Sequence, residues 1–349
     1  MKKISIFALS LAGLLSTSVY AVEGGTPIAW GEHPYLVESQ CTGTVLAGKY
    51  VLLAGHCADS VDSPFPRLVN FSNGSNMMPI HRNTLYKPDL PETEFADIAL
   101  WTLSESAAMD KIVFIDDLNK AANTPVLDDT VTIMGFGQND NTSKLGKITN
   151  NVSWLSNNGL AIGYGGETQY TIQGDSGAPV INAKNRIIAI NYSGDGSNDP
   201  ATGLYEQNGV NLRFVKNWLL NGINAWHSPT ELKFTGSKTI EIQSLHVNST
   251  NLALRQNAGT LTTGDVAVTG GTCVTDGAVT PFGTCTIELQ AGKSEGHVQL
   301  EDGNVITVNR TPKPDPKPQP DQDGSSGGSM GWFGLLGLLA FAFKRKNNQ

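Results

Sequence analysis

The chain alternates short apolar stretches with clusters of Gly, Asn, Asp and Pro, and two rhythms of that alternation divide it. From Val22 to about residue 228, runs such as Tyr50 to Ala54, Ile98 to Leu103, Val131 to Met134 and Ile187 to Asn191 are bounded by turn formers. Such runs predict strands, because branched side chains suit a pleated surface and the turn residues end it. Phe214, Val215, Trp218 and Leu219 then recur at helical spacing, which predicts a short helix over 214–220 lying on a core. From Glu231 to Arg310 the alternation tightens, as in Thr239-Ile240-Glu241-Ile242, Asn251-Leu252-Ala253-Leu254 and His297-Val298-Gln299-Leu300. That rhythm predicts a small β-sandwich over 229–310, following an all-β domain over 22–228.

Both ends depart from these rhythms. Residues 1–21 open with Lys2 and Lys3, continue with an apolar run from Ile4 to Val19, and finish on Val19-Tyr20-Ala21, the pattern of a signal peptide cut before Val22. Residues 311–329 begin TPKPDPKPQPDQDG, where alternate prolines enforce an extended, solvated linker. The tail over 330–349 carries an apolar run from Met330 to Phe343, 14 residues long, followed by Lys344-Arg345-Lys346. At ~1.5 Å per residue that run reaches roughly 21 Å, short of a ~30 Å hydrocarbon core. Two readings stay open: a transmembrane anchor with a basic flank, and a removable sorting signal.

Charge changes the picture only by exclusion. The net charge is −8, and five basic residues lie in the 1–21 segment and the 330–349 tail, so the body without them is more acidic still. An acidic body without a basic patch disfavours nucleic acid as a partner. Export makes the four cysteines candidates for disulfides. Of three possible pairings, placement favours the local ones, Cys41 with Cys57 and Cys273 with Cys285. Six scattered histidines show no metal-ligand spacing, and no cofactor motif is present, so no metal or cofactor is expected.

Three distant stretches carry chemistry: Ala54-Gly55-His56-Cys57, Asp97-Ile98-Ala99-Leu100 and Gly174-Asp175-Ser176-Gly177. Acyl transfer by a serine needs a base, an acid that fixes the tautomer of that base, and donors for the oxyanion. Each stretch alone reads as a turn, a strand edge or a packed histidine; together, with Cys41-Thr42-Gly43-Thr44-Val45 and Gly135-Phe136-Gly137, they resemble the chymotrypsin-like, trypsin-family serine proteases. The resemblance runs from Val22 to about Leu220. It implies a chymotrypsin-like double β-barrel for that part of the chain, ahead of the small Ig-like β-sandwich, the extended Pro-rich linker and the short C-terminal hydrophobic segment read above. It further implies an endopeptidase acting on protein or peptide substrates, with Ser176 as nucleophile, His56 as base, Asp97 as its orienter and the N–H groups of Gly174 and Ser176 as oxyanion donors. It also implies that a freed Val22 amine pairs with Asp175.

The same resemblance places the primary substrate pocket at Tyr170, Gln173, Tyr192, Ser193 and Gly194. Tyr170 stands where trypsin-like enzymes need an aspartate, and Ile172 replaces the cysteine of the disulfide that braces that pocket; Asp195 or Asp199 would be needed to restore a preference for basic residues. In the tail, Gly327-Gly328-Ser329 with the apolar run and basic end resembles the GlyGly-CTERM signals of Gram-negative surface proteins. That resemblance implies type II secretion, a rhomboid-type sorting protease, and an extracellular or outer-membrane, cell-surface location. The 229–310 segment is similar to accessory domains of bacterial surface proteins, with a spacer role expected. The rival reading is a catalytically inactive protease-like adhesin or binding protein.

Overall fold

The computed structural model describes residues 22–57, 67–87, 89–90, 95–137, 144–275 and 277–312, with Asp195 in its backbone only. The signal segment, the Pro-rich linker beyond residue 312 and the Met330–Phe343 run lie outside the described residues. The expectation of a transmembrane segment is corrected: among the described residues no helix is long and apolar enough to cross a membrane.

Two antiparallel sheets make up the first two thirds. The first has seven strands, ordered Asn76–Met77, Val69–Asn70, Leu36–Glu38, Thr42–Leu46, Tyr50–Leu53, Ala99–Leu103 and Pro79–Thr84. The second, eight-stranded, runs Thr26–Ile28, Leu145–Leu155, Thr130–Gly135, Pro179–Asn182, Arg186–Asn198, Tyr205–Asn211 and Ala161–Gly166. Pairing of Leu145–Leu155 with Ala161–Gly166 curls this sheet back on itself. Phe114–Ile115 adds a short parallel pairing to its Arg186–Asn198 strand. The two sheets are consistent with a chymotrypsin-like double β-barrel.

The period of two explains which side chains fill the second barrel. Along Leu145–Leu155, Ile148, Asn150 and Val152 are buried while Lys147, Thr149 and Asn151 face solvent. Val22 joins Ile148, Val152, Tyr164 and Ile188 in that core. The helix forms as expected but longer, Leu212–Ile223, because Asn211 caps its start and Asn224 takes a left-handed conformation at its end. Its buried face is Leu212, Val215, Leu219 and Ile223; Phe214, expected on that face, is 53% exposed.

The remaining strands build a curled six-stranded sheet that resembles an Ig-like domain. One strand, Thr284–Glu301, carries the curl: residues 284–291 pair with Gly236–Ser244, and residues 296–301 pair with Asn304–Val308. Asn251-Leu252-Ala253-Leu254, expected as a strand, instead leads into the short helix Ala253–Asn257. Asn251 Oδ1 accepts the Ala253 N–H, and Leu252 turns inward while Leu254 stays 79% exposed, an outcome that two alternating leucines do not distinguish from a strand.

This sheet is bonded to the barrels. Buried His227 accepts the Ala47 N–H at Nδ1 (3.0 Å) and meets the Val113 carbonyl at Nε2 (2.9 Å). Gln243 accepts the Ile115 N–H and returns a bond to the Ile115 carbonyl, and Thr230 does the same with Met109 and Ala107. Leu245 and Phe282 belong to the large core cluster of the barrels.

Candidate active site

The site forms where a loop of the second sheet meets the ends of two paired strands of the first. His56 sits in the 3₁₀ turn Gly55–Cys57 directly after Tyr50–Leu53, and Asp97 lies just before Ala99–Leu103, the strand paired with it. Adjacent strands therefore bring the imidazole and the carboxylate side by side. His56 Nδ1 donates to Asp97 Oδ2 at 2.7 Å, and the main-chain N–H of His56 donates to Oδ1 at 2.8 Å. Only glycine fits at Gly55: a Cβ there would lie 2.4 Å from Tyr86 Cβ and 2.9 Å from Asp97 Oδ1. The Tyr86 ring meets the imidazole edge at 6.3 Å.

Thr42 joins the two barrels at the Gly174–Gly177 turn. Its N–H donates to the Ser176 carbonyl (2.9 Å), its hydroxyl donates to the Gly174 carbonyl (3.0 Å), and that hydroxyl accepts the Phe136 N–H (3.1 Å). The Cys41–Cys57 disulfide locks the same corner, with Cys57 Sγ 3.8 Å from the Ser176 carbonyl oxygen. Cys41, His56 and Cys57 bring potential metal-ligand atoms within 4.8 Å of one another, but both sulfurs are committed to the disulfide. The second disulfide, Cys273–Cys285, ties the third sheet.

The Gly174–Gly177 turn has a form that other residues would not tolerate. Gly174 has φ +100°, and a Cβ would lie 1.8 Å from the Gly137 carbonyl oxygen; Gly177 has φ +88° with Thr42 and Leu53 against it. The N–H groups of Asp175, Gly177 and Ala178 are bonded inside the protein, whereas among the described residues those of Gly174 and Ser176 donate to nothing. Two free donors thus flank the half-buried Ser176 side chain. Its hydroxyl makes no hydrogen bond with His56 among the described residues, a contact that in free enzymes is often long and tightens with substrate.

Residues 22–211 match the trypsin family, more than half of the 349-residue chain. The chain belongs to the trypsin family. No curated protein matches it. In this trypsin-family domain Asp175 is fully buried, its oxygens accepting the Gly137 N–H (2.7 Å) and the Ile172 N–H (2.8 Å). Burial pushes its carboxyl up to about 8, against those two bonds. Val22 is also fully buried, and Glu23 exchanges two main-chain bonds with Tyr170, so the start of the domain is clamped to the segment before the nucleophile.

The expected pocket residues each have separate contacts. The Tyr170 ring stacks on Tyr205 (4.3 Å between centroids, 19° between planes) and lies against Gly196. Gln173 is exposed, Tyr192 sits at a bulge packed on the core, and Ser193 accepts a bond from Asn208. Asp199 turns back on its own loop, accepting from Ala201 and Thr202. Sequence reasoning gave no role to Thr42 or Tyr86, although Thr42 had a signal in its place beside Cys41. Asn191, read from the sequence as part of the pocket wall, is instead buried behind it, its amide donating to the Asp175 carbonyl at 3.1 Å and its Oδ1 accepting the Tyr164 hydroxyl at 2.6 Å.

Proposed function

We propose that the chain is an exported serine endopeptidase that hydrolyses peptide bonds through an acyl-enzyme on Ser176. The observation that carries this reading is the two-point hold of Asp97 on His56 beside a serine flanked by two unbound N–H groups. His56 takes the Ser176 proton as the hydroxyl attacks the scissile carbonyl. Asp97 keeps Nδ1 protonated, leaving Nε2 as the base, and stabilises the imidazolium that forms. The Gly174 and Ser176 N–H groups receive the negative charge that develops on the carbonyl oxygen. His56 then returns the proton to the leaving amine, and a water molecule, deprotonated by the same base, releases the acid product.

In this reading removal of residues 1–21 frees the Val22 amine, which pairs with Asp175 and sets the Gly174 and Ser176 donors. No Lys or Arg stands between Lys3 and Lys49, so signal cleavage itself supplies the amine. The Gly327-Gly328-Ser329 tail is read as a sorting signal handled by a rhomboid-type protease after type II secretion, leaving the product at the cell surface or released. The test is digestion of an unfolded protein substrate by the exported chain and by its Ser176→Ala variant. Cleavage only by the unsubstituted chain supports the reading; equal inertness of two folded proteins favours a binding protein.

A further inference from the structure

If Ser176 attacks as described, the side chain preceding the scissile bond enters between the segment before the nucleophile and the strand that follows Asn191. That strand does not splay open. Beyond the bulge at Tyr192 it stays paired, Ser193 with Asn208 and Gly194 with Gln207, and Gln207 is paired in turn with Tyr164. The two facing walls touch: a Cβ built on Gly194 would lie 2.2 Å from Thr171 Oγ1 and 3.0 Å from the Thr171 carbonyl oxygen. A side chain lying between two walls needs about 3.5–4.0 Å on each side, so the walls would have to stand roughly twice that far apart.

The floor is sealed as well. Thr171 and Gln207 are 0% exposed and Asn191 is 1% exposed. Their polar atoms are matched to one another: the Thr171 N–H donates to Gln207 Oε1 (3.1 Å), and the Tyr164 hydroxyl donates to Asn191 Oδ1 (2.6 Å). A lysine or arginine head would meet neutral acceptors already engaged, and an aromatic ring would meet backbone. Tyr170, whose ring lies outside on Tyr205, blocks nothing here. A cavity of about 300 Å³ is lined by Ser193, Gly194, Asp199 and Glu206 among others, but by neither Ser176 nor His56.

We propose that contact between Thr171 and Gly194 closes the base of the primary pocket, so that this protein cleaves after short, uncharged side chains such as Ala, Ser or Val. The proposal rests on the protease reading above. The experiment uses the exported chain, its active fraction counted by fluorophosphonate labelling, on four tetrapeptide anilides that differ only in the residue before the cut: Ala, Val, Phe and Lys. The expected kcat/KM for Ala and Val exceeds that for Phe and Lys by about 100-fold or more, since a single methylene is worth roughly 10- to 200-fold in such pockets. Turnover of Phe or Lys as fast as Ala by labelled enzyme overturns it. Absence of labelling in folded protein instead sinks the protease reading, and this inference with it. Thr171→Gly, which removes the touching hydroxyl and methyl, should raise the Phe-to-Ala ratio at least tenfold; an unchanged ratio in fully labelled variant shows that the contact does not set the size limit.

Discussion

Asp97 holds His56 at two points, one oxygen on the imidazole Nδ1 and the other on the main-chain N–H of the same residue. The first bond sets the tautomer and the second sets where the ring can swing. An amide at position 97 can keep only part of this, because it presents one acceptor and one donor. Asp97→Asn is therefore expected to fold normally and to lose about 10⁴-fold in kcat with a small change in KM. Steady-state kinetics alongside circular dichroism check this; a loss under tenfold would remove Asp97 from the mechanism.

The buried Asp175 gives the unprocessed chain a pH signature. Its carboxyl is raised from 3.8 to about 8 by burial, so the folded form keeps a proton that the unfolded form has released. The stability this provides is full below 3.8 and is lost as pH rises through about 8, at about 1.4 kcal/mol per pH unit. Chain with the Ala21–Val22 bond intact should therefore melt at lower temperature at pH 8 than at pH 6.5. Cleavage before Val22 supplies a cation and should abolish that slope, as should Asp175→Asn. Calorimetry at the two pH values makes the comparison.

His227 works in the opposite direction. Burial depresses its imidazole from 6.5 to about 4, against the bond to the Val113 carbonyl, so the folded state holds it neutral while the unfolded chain takes up a proton. Stability present above 6.5 is lost as pH falls towards about 4, again at about 1.4 kcal/mol per unit. Since His227 ties the third sheet to Ala47 and Val113, His227→Gln should flatten the acid limb of the melting curve in processed protein. It should also cost about 1–3 kcal/mol at neutral pH through unmatched buried groups.

Gly135 tests the packing behind the nucleophile loop. A Cβ there would lie 2.2 Å from Asp175 Oδ1. Gly135→Ala is expected to displace the carboxylate and with it the Gly174 and Ser176 donors, lowering kcat by about 10²- to 10³-fold, the usual cost of a lost oxyanion donor. Measurement of kcat on a peptide substrate decides; undiminished turnover would show that the loop stands independently of Asp175.

Strand runs and the three chemical stretches were legible because each is local: Val131 to Met134 reads as a strand from its own composition, and Asp97 precedes its own apolar run. What the sequence hid is set by tertiary contacts. Leu252 and Leu254 alternate like a strand, yet a helix turn starts at Ala253, whose N–H Asn251 Oδ1 accepts. Thr42 looks like any strand threonine until its hydroxyl is seen bridging Gly174 and Phe136. Tyr170 occupies a pocket position by count, but stacking on Tyr205 turns its ring away, and the closure falls to its neighbour Thr171. The docked third sheet was equally hidden, because Gln243 and His227 find partners far away in the chain.

In the proposed mechanism His56 makes Ser176 nucleophilic. Fluorophosphonate labelling of the exported chain, followed by mass spectrometry of the modified peptide, tests it most directly. The expected result is a single adduct on Ser176 that disappears in Ser176→Ala and forms at least 10³-fold more slowly in His56→Ala. An adduct elsewhere, or labelling at an unchanged rate without the imidazole, would contradict it.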